Sequence, residues 1–316
     1  KAGAELRDRL RIGLEAVVES EEGPDARARA ERALESLDLA PIGTLHAFAR
    51  RLLNEFPVEA ELPPRFEVLD EVQSATAFHE RFADFLETLL DDPAAVRLVE
   101  LCQHDNFGVE KGVRRMAEDF QANWDLVAER VSPEMPPPVD TTAMQQQIAA
   151  LCAAVAGFQP PPEDSQTRTV ARFQERARLL QGALPLSELL RQLAELADAK
   201  AMGNAAVWKK FHGSADVLTS FKAAVADAAA AAQQSMRVIN EERRLTLGAL
   251  LREFTMSSAQ LRQLDGELEF HDLLVLARRL VTSQMGVRSQ LHERYTHLLL
   301  DEFQDTDPIQ LELAVR

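Results

Sequence analysis

Apolar residues recur at helical spacing along most of this chain. Between residues 1 and 38, leucine and valine return at every third or fourth position, and Gly23-Pro24 interrupts the pattern, which predicts two short helices. Nearly all of residues 71–255 follows the same period, with breaks at its proline clusters, and residues 270–281 form one more amphipathic pattern that begins at Phe270. The chain is therefore predicted to be mainly α.

Two short apolar runs differ from this pattern and predict a small α/β part. Residues 39–43 are short and apolar enough for a buried strand, and Thr44 is placed to cap a following helix that ends near Glu55. Residues 295–300 form a second apolar run, which Asp301-Glu302 stops abruptly. Such a run predicts a buried parallel strand with acidic residues at its carboxyl end.

Composition and charge narrow the classes of partner. The chain has 316 residues, 46% of them apolar, and its formal net charge is −16. This charge argues against a general polyanion-binding protein and confines any DNA contact to a small strip of local Lys and Arg. No run of about 18 apolar residues predicts a membrane span, and Cys102 and Cys152 lack metal or disulfide spacing. We expect a cytoplasmic location and no membrane partner.

The acidic string that follows the second apolar run carries the strongest chemical signal. In an open α/β sheet, the carboxyl end of a strand faces the ligand crevice. Asp301 is a candidate ligand for Mg²⁺, and Glu302 is a candidate metal ligand and general base that orients the attacking water. Gln304 is a candidate sensor of a nucleotide γ-phosphate. The simpler alternative is a strand followed by an acidic turn.

The complete string DEFQDTDPIQ, residues 301–310, resembles motif II (Walker B) of superfamily 1 helicases of the UvrD/Rep type, closest to their RecB/AddA-like branch. The resemblance implies a partial RecA-like (P-loop NTPase) core domain that carries a large helical insertion. Residues 1–70 and 263–316 would belong to the RecA-like domain, and residues 71–262 would form the inserted helical arm. ATP and Mg²⁺ are the implied cofactors, bound through Asp301, Glu302 and Gln304.

Two stretches near the start resemble DNA-binding motifs of the same family. Residues 1–9 are similar to the end of motif Ia, with Gly3 where the family pattern has Ala, and residues 42–53 are similar to motif Ib. The resemblance assigns DNA contact to Lys1, Thr44, His46 and Arg50. Without the resemblance, a solvated amphipathic helix explains the first stretch equally well, and a capped helix with His46 and Phe48 in the core is the preferred explanation of the second. Residues 266–274 resemble the segment by which the arm returns to the core domain.

The resemblance implies a 3′-to-5′ DNA helicase or translocase that acts in DNA repair or recombination. Its partners would be single-stranded and forked DNA, with a partner subunit of a helicase–nuclease complex also implied. The sequence contains no Gly-x-x-x-x-Gly-Lys-Ser/Thr phosphate loop, so we expect an internal piece of a larger protein that is inactive alone. One alternative is a non-catalytic helical module that docks DNA, through pairs such as Lys209-Lys210, or protein. Another is a helical scaffold in which the acidic string is accidental.

Overall fold

The computed structural model describes residues 2–20, 23–90, 96–99, 109–299 and 307–315. These residues are mainly helical, as the apolar periodicity predicted. The chain divides into two compact units, one formed by Lys1–His79 with Ser257–Arg316 and the other by Glu80–Met256. No helix in the described ranges is both long and apolar enough to cross a membrane.

The first unit joins the two ends of the chain. Its elements in chain order are α1 (Ala2–Glu19), α2 (Pro24–Ser36), α3 (Leu45–Glu55), β1 (Glu67–Val68), β2 (Glu267–Leu268), α12 (Phe270–Ser283), α13 (Met285–Arg294) and α14 (Pro308–Val315). Helix α1 packs against α2, and α12 contacts α3, α13 and α14. The buried side chains of α12 run from Asp272 to Val281, so this helix forms the centre of the unit.

A short parallel pairing connects the segment that leaves the first unit with the segment that returns to it. Strands β1 and β2 pair Glu67 with Glu267 and Val68 with Leu268, although about 200 residues separate them in the chain. Gly266, just before β2, has φ +72°, and a Cβ there would lie 2.6 Å from Pro63 Cγ. Only glycine fits this close crossing without strain.

The second unit is entirely helical in its described part. Its helices are α5 (Val109–Ala122), α6 (Trp124–Arg130), α7 (Thr141–Ala156), α8 (Gln166–Leu179), α9 (Leu186–Ala197) and α10 (Ala205–His212). Two further helices, α4 (Glu71–Leu90) and the 50-residue α11 (Asp216–Asp265), contain residues of both units. The apolar core of this unit is built from successive segments between residues 148 and 239.

Trp208 lies at the centre of that core. Its ring stacks on Phe221 with centroids 5.2 Å apart, and its indole nitrogen donates to Asp164 Oδ2 at 2.9 Å. Burial in the same core raises the pKa of Cys152 to about 11, so its thiol stays protonated and unreactive at neutral pH. The side chain of Trp208 is fully buried.

Neither predicted buried strand is present in the described residues. The first run, 39–43, continues the last turn of α2 as a tight turn, because the Leu39 and Ala40 amides donate to Ser36 O. The second run has no strand over 295–299, and the side chain of Leu299 is 94% exposed. A parallel strand needs a neighbouring strand for its backbone hydrogen bonds. Among the described residues, β1 and β2 pair only with each other, and no strand lies alongside either run.

Candidate DNA-binding site

Helix α3 presents its N-terminus as the first part of the site. Thr44 is its N-cap residue, with extended backbone angles, and its Oγ1 accepts a hydrogen bond from Ala47 N at 3.2 Å. The predicted cap and the predicted end at Glu55 are confirmed. The first backbone N–H groups of a helix have no intrahelical acceptor, so an exposed helix N-terminus favours an anion such as a DNA phosphate. Thr44 is exposed.

His46 and Arg50 lie one helical turn apart on α3, C-terminal to its N-cap residue Thr44. Arg50 is exposed and His46 is half-buried. A spacing of four residues places both side chains on the same face of a helix. His46 and Arg50 therefore share one face of the first two turns of α3, and together with Thr44 at the N-terminus of the same helix they form what we call the DNA strip.

Two glycines bring helix α1 against the turn that precedes this strip. A Cβ added at Gly3 would lie 3.0 Å from Gly43 Cα and 3.2 Å from Ile42 O. The glycine that departs from the family's alanine pattern is thus the residue that touches the Gly43 turn. Arg7 of α1 also donates to Ala40 O at 3.3 Å. The first turns of α1 therefore support the backbone that leads into Thr44.

His46 stacks on Phe270, the first residue of α12. The two ring centroids are 3.8 Å apart and the rings are within 15° of parallel. Phe270 was predicted to lie on the packing face of its helix, and this was wrong, because its side chain is 59% exposed. As the first residue of α12, it precedes the turns whose side chains are buried. The stacked pair extends the α3 strip with an exposed aromatic surface.

The electrostatic surroundings of His46 connect the strip to the acidic string. Burial lowers the pKa of His46 below its ordinary value, and the charge of His271 lowers it further. The carboxylate of Asp307 acts in the opposite direction and raises it. Asp307 belongs to the acidic string, so its charge reaches the motif that resembles Ib. His46 is mainly neutral at pH 7 and would contact DNA as a hydrogen-bonding imidazole.

A buried ion pair fixes the start of α12, on which Phe270 depends. Arg262 is buried, and its Nε and Nη2 donate to the two carboxylate oxygens of Asp272 at 2.8 and 2.9 Å. Asp272 Oδ2 also accepts from Glu269 N at 2.8 Å, directly before Phe270. One carboxylate therefore links the end of α11 to the first turn of α12. The chain pattern gave no indication of this pair.

The predicted site residues fall into two groups. Thr44, His46 and Arg50 lie together on α3. Lys1, Asp301, Glu302 and Gln304 lie outside the described residues. In the parts of the chain that the structure describes, no three histidine, cysteine or acidic side chains are grouped closely enough to hold a metal ion. Phe270 was missed as a site residue, although its place at the first position of a helix, ahead of the buried turns, was a signal available from the sequence.

Comparison with known proteins identifies the family of this chain. The family model described as the UvrD/REP helicase N-terminal domain matches residues 1–316. An ATP-dependent helicase/nuclease subunit of Levilactobacillus brevis is 24% identical over an alignment of 358 positions, which covers 98% of this chain and 28% of the relative. A probable DNA helicase II homolog of Mycoplasma genitalium is 44% identical over 50 residues, which is 16% of this chain and 7% of the relative. The chain thus spans less than a third of either relative, and it belongs to the UvrD/Rep helicase family, in the part that forms the N-terminal domain.

Proposed function

We propose that this chain is part of an ATP-dependent DNA helicase that moves 3′ to 5′ on single-stranded DNA in repair or recombination. Residues 1–70 and 263–316 belong to its first RecA-like domain, and 71–262 form an inserted helical arm. The observation that carries the proposal is the strip formed by Thr44, His46, Arg50 and the exposed ring of Phe270. It combines a helix N-terminus, a cation and a stacking surface, which are the groups that single-stranded DNA requires.

Each part of the strip has a separate task in this proposal. The N-terminus of α3 and the Thr44 hydroxyl bind a backbone phosphate, and Arg50 adds a positive charge one turn further on. Phe270 stacks on a base, while His46 supports its opposite face at 3.8 Å between ring centroids. A strip of this size accords with a chain of net charge −16, because its few cations act locally.

The nucleotide part of the proposal depends on the acidic string. Asp301, Glu302 and Gln304 offer hard oxygen donors, which suit Mg²⁺ better than softer metals. We assign Asp301 to the Mg²⁺ of bound ATP, Glu302 to the metal and to orienting the attacking water, and Gln304 to the γ-phosphate. When bound, Mg–ATP supplies the free energy that moves the protein along DNA. The charge of Asp307 at His46 supports a short path between this string and the DNA strip.

The names of the relatives support the wider setting of the proposal. One relative is named as a helicase and the other as a subunit of a helicase/nuclease. By extension, we propose that the intact protein works in the cytoplasm with a partner subunit of such a complex. Because the sequence has no phosphate loop, we also propose that the 316-residue chain alone does not hydrolyse ATP. Robust DNA-stimulated turnover of radiolabelled ATP by this chain would contradict that point.

The DNA strip is tested by replacing Phe270 with alanine and measuring binding of a labelled oligothymidine by fluorescence anisotropy. Loss of one base-stacking ring costs about 1–3 kcal/mol, so the Kd should rise by roughly 5- to 150-fold. Leu264→Ala is the matched control, because Leu264 is also an exposed apolar residue of the first unit, at 63% exposure. Equal affinities for the two variants and the unchanged chain would exclude Phe270 from the binding surface.

A second candidate function is a non-catalytic module that binds duplex or forked DNA through the second unit. Every lysine whose side chain the structure describes lies between residues 200 and 222, namely Lys200, Lys209, Lys210 and Lys222. All four are exposed and, within the described part of the chain, form no ion pair. Exposed Phe211 lies beside two of them.

The two candidates differ in which variants weaken which DNA. Replacing Lys209 and Lys210 with glutamine should reduce the salt dependence of duplex binding, by about 0.9 in the log–log slope for each DNA phosphate that the variant no longer binds. If the chain is only a docking module, this variant weakens all DNA binding and Phe270→Ala has no effect. If the helicase proposal is correct, Phe270→Ala weakens single-strand binding whether or not the lysines are present.

A further inference from the structure

The C-terminal end of α3 is fastened to the segment that leads into the acidic string. Arg294 is the last residue of α13, and its Nη1 and Nη2 lie 2.8 and 2.7 Å from the two carboxylate oxygens of Glu55, the last residue of α3. Such a two-bond arrangement fixes orientation as well as distance, because both groups are planar. The hydrogen bond from Arg294 lowers the pKa of Glu55, against the opposing effect of burial, so the carboxylate is charged at neutral pH.

A second contact joins the same two segments beside this ion pair. The ring of Phe48, the fourth residue of α3, meets the ring of Tyr295 edge to face, with centroids 5.7 Å apart. The Arg294 guanidinium carbon also lies 5.9 Å from the Tyr295 ring centroid. Tyr295 precedes Asp301 by six residues in the sequence. Arg294 and Tyr295 therefore contact α3 through two different kinds of interaction, an ion pair and an aromatic contact.

These contacts join the helix that carries the proposed DNA strip to the segment that precedes the acidic string in the sequence. The last residue of α3 binds Arg294, and Phe48, between His46 and Arg50 of the strip, meets Tyr295. An 11-residue helix is short and stiff, so a movement of the 294–295 segment shifts α3 as a unit. We propose that the Glu55–Arg294 pair and the Phe48–Tyr295 contact transmit the occupancy of the nucleotide site to the DNA strip, and that Glu55 and Arg294 are positioning residues for this coupling.

The ion pair is poorly explained as a stabilising contact alone. The side chains of Arg294 and Glu55 are 42% and 32% exposed, and pairs as exposed as this contribute little to stability. A role in coupling requires fixed geometry rather than large stability, and the two hydrogen bonds and the adjacent ring provide that geometry. Removing the pair should therefore leave the unfolding temperature almost unchanged. The coupling between nucleotide binding and DNA binding, in contrast, should be lost.

The test uses the full-length protein and measures coupling without relying on catalysis. The Kd for oligothymidine is measured with and without a non-hydrolysable Mg–ATP analogue, and the Kd for a fluorescent nucleotide is measured with and without DNA. Linkage requires the two ratios to be equal, and ratios of about 5–150 are usual for coupled sites. In Glu55→Gln, Arg294→Gln and the double variant we expect both ratios to fall to within about twofold of one. The double variant should lose no more than either single variant, because the pair acts as a unit.

The matched control is Arg279→Gln, which removes an exposed ion pair of the same unit, Arg279 with Glu61 at 3.5 Å, that does not involve α3. Its coupling ratios should equal those of the unchanged protein. In the Glu55 and Arg294 variants, the Tm should change by no more than about 2–4 °C, and the Kd for DNA without nucleotide should change by less than about threefold.

The inference rests on the proposed function, and the outcomes distinguish the two. If the unchanged protein binds no DNA or no nucleotide, the proposed function fails and the coupling proposal fails with it. If the unchanged protein shows coupling and the Glu55 and Arg294 variants retain it, the proposed function stands and the coupling role is excluded. A loss of coupling in Arg279→Gln equal to that in the other variants would also overturn the proposal, because it would attribute the effect to charge rather than to α3.

Discussion

The two units of this chain differ in the kinds of contact that stabilise each of them internally. The second unit has a continuous apolar core built from helices that follow one another in sequence. The first unit also buries apolar side chains of α3 and α12, but its segments are fixed by individual polar, aromatic and close-backbone contacts, such as Arg262 with Asp272, His46 with Phe270 and Gly3 with Gly43. An apolar core accepts many sequences of similar volume, whereas each contact of the first unit depends on one residue type. This difference accounts for the short motifs that resemble those of helicases lying in the first unit, although the family model matches the whole chain.

The largest effect is expected from breaking the buried pair of the first unit. Arg262→Ala leaves the Asp272 carboxylate buried without the guanidinium that faces it, which should lower the free energy of unfolding by about 3–5 kcal/mol. The measurement is urea denaturation followed by circular dichroism. Arg244→Ala is the control, because the Arg244–Glu241 pair is exposed to solvent and contributes little to stability. A cost for Arg262→Ala no greater than that of the control would remove the distinction between the units.

A smaller loss is expected from a cavity in the second unit. Leu193 is fully buried in its core, so Leu193→Ala should cost about 2–5 kcal/mol. The comparison becomes sharper with conservative exchanges, because Leu193→Met keeps the volume and should cost less than about 1.5 kcal/mol. Arg262→Lys keeps the charge but cannot make both bonds to Asp272, so it should cost more than the methionine exchange. If urea titration shows a larger loss of stability for Leu193→Met than for Arg262→Lys, the second unit tolerates conservative substitutions less well than the first.

A third prediction concerns Gly3, which contacts the Gly43 turn at the start of the site, with Gly13 of the same helix as its control. Alanine at an exposed helix position normally stabilises by about 1 kcal/mol relative to glycine, and Gly13→Ala should show this gain because nothing lies near its missing Cβ. Gly3→Ala lies in the same helix but meets the Gly43 backbone at 3.0 Å, so this gain should be cancelled. The Gly3 variant should also weaken oligothymidine binding by displacing Thr44. Thermal denaturation and anisotropy of the two variants measure both effects, and identical behaviour would argue against the close approach.

The sequence predicted some parts of the site and fold well and others poorly, for physical reasons. Local signals were sufficient for the helices and for Thr44, because a capping residue acts within its own helix turn. Strands were predicted over 39–43 and 295–300, and the described residues 39–43 and 295–299 are not strands, because a strand depends on a distant neighbour that an apolar run does not reveal. The pairing of Arg262 with Asp272 was missed for the same reason, since charged residues on helices are usually exposed and only the packing of α11 and α12 buries this one.

The smallest effect is expected at His46, where it tests the link between the DNA strip and the acidic string. Because burial lowers the pKa of His46 in the folded protein, the unfolded chain binds the proton more readily. Stability from this group is therefore fully present above pH 6.5 and declines as the pH falls from 6.5 towards the lowered value. The pKa can be followed by NMR through the C2 proton of the imidazole. His271→Gln should raise it, since the charge of His271 lowers it, and Asp307→Asn should lower it. If the pKa of His46 is the same in Asp307→Asn as in the unchanged protein, the charge of Asp307 does not act on α3. The proposed short path between the nucleotide site and the DNA strip would then be excluded, whatever the stability of the two units.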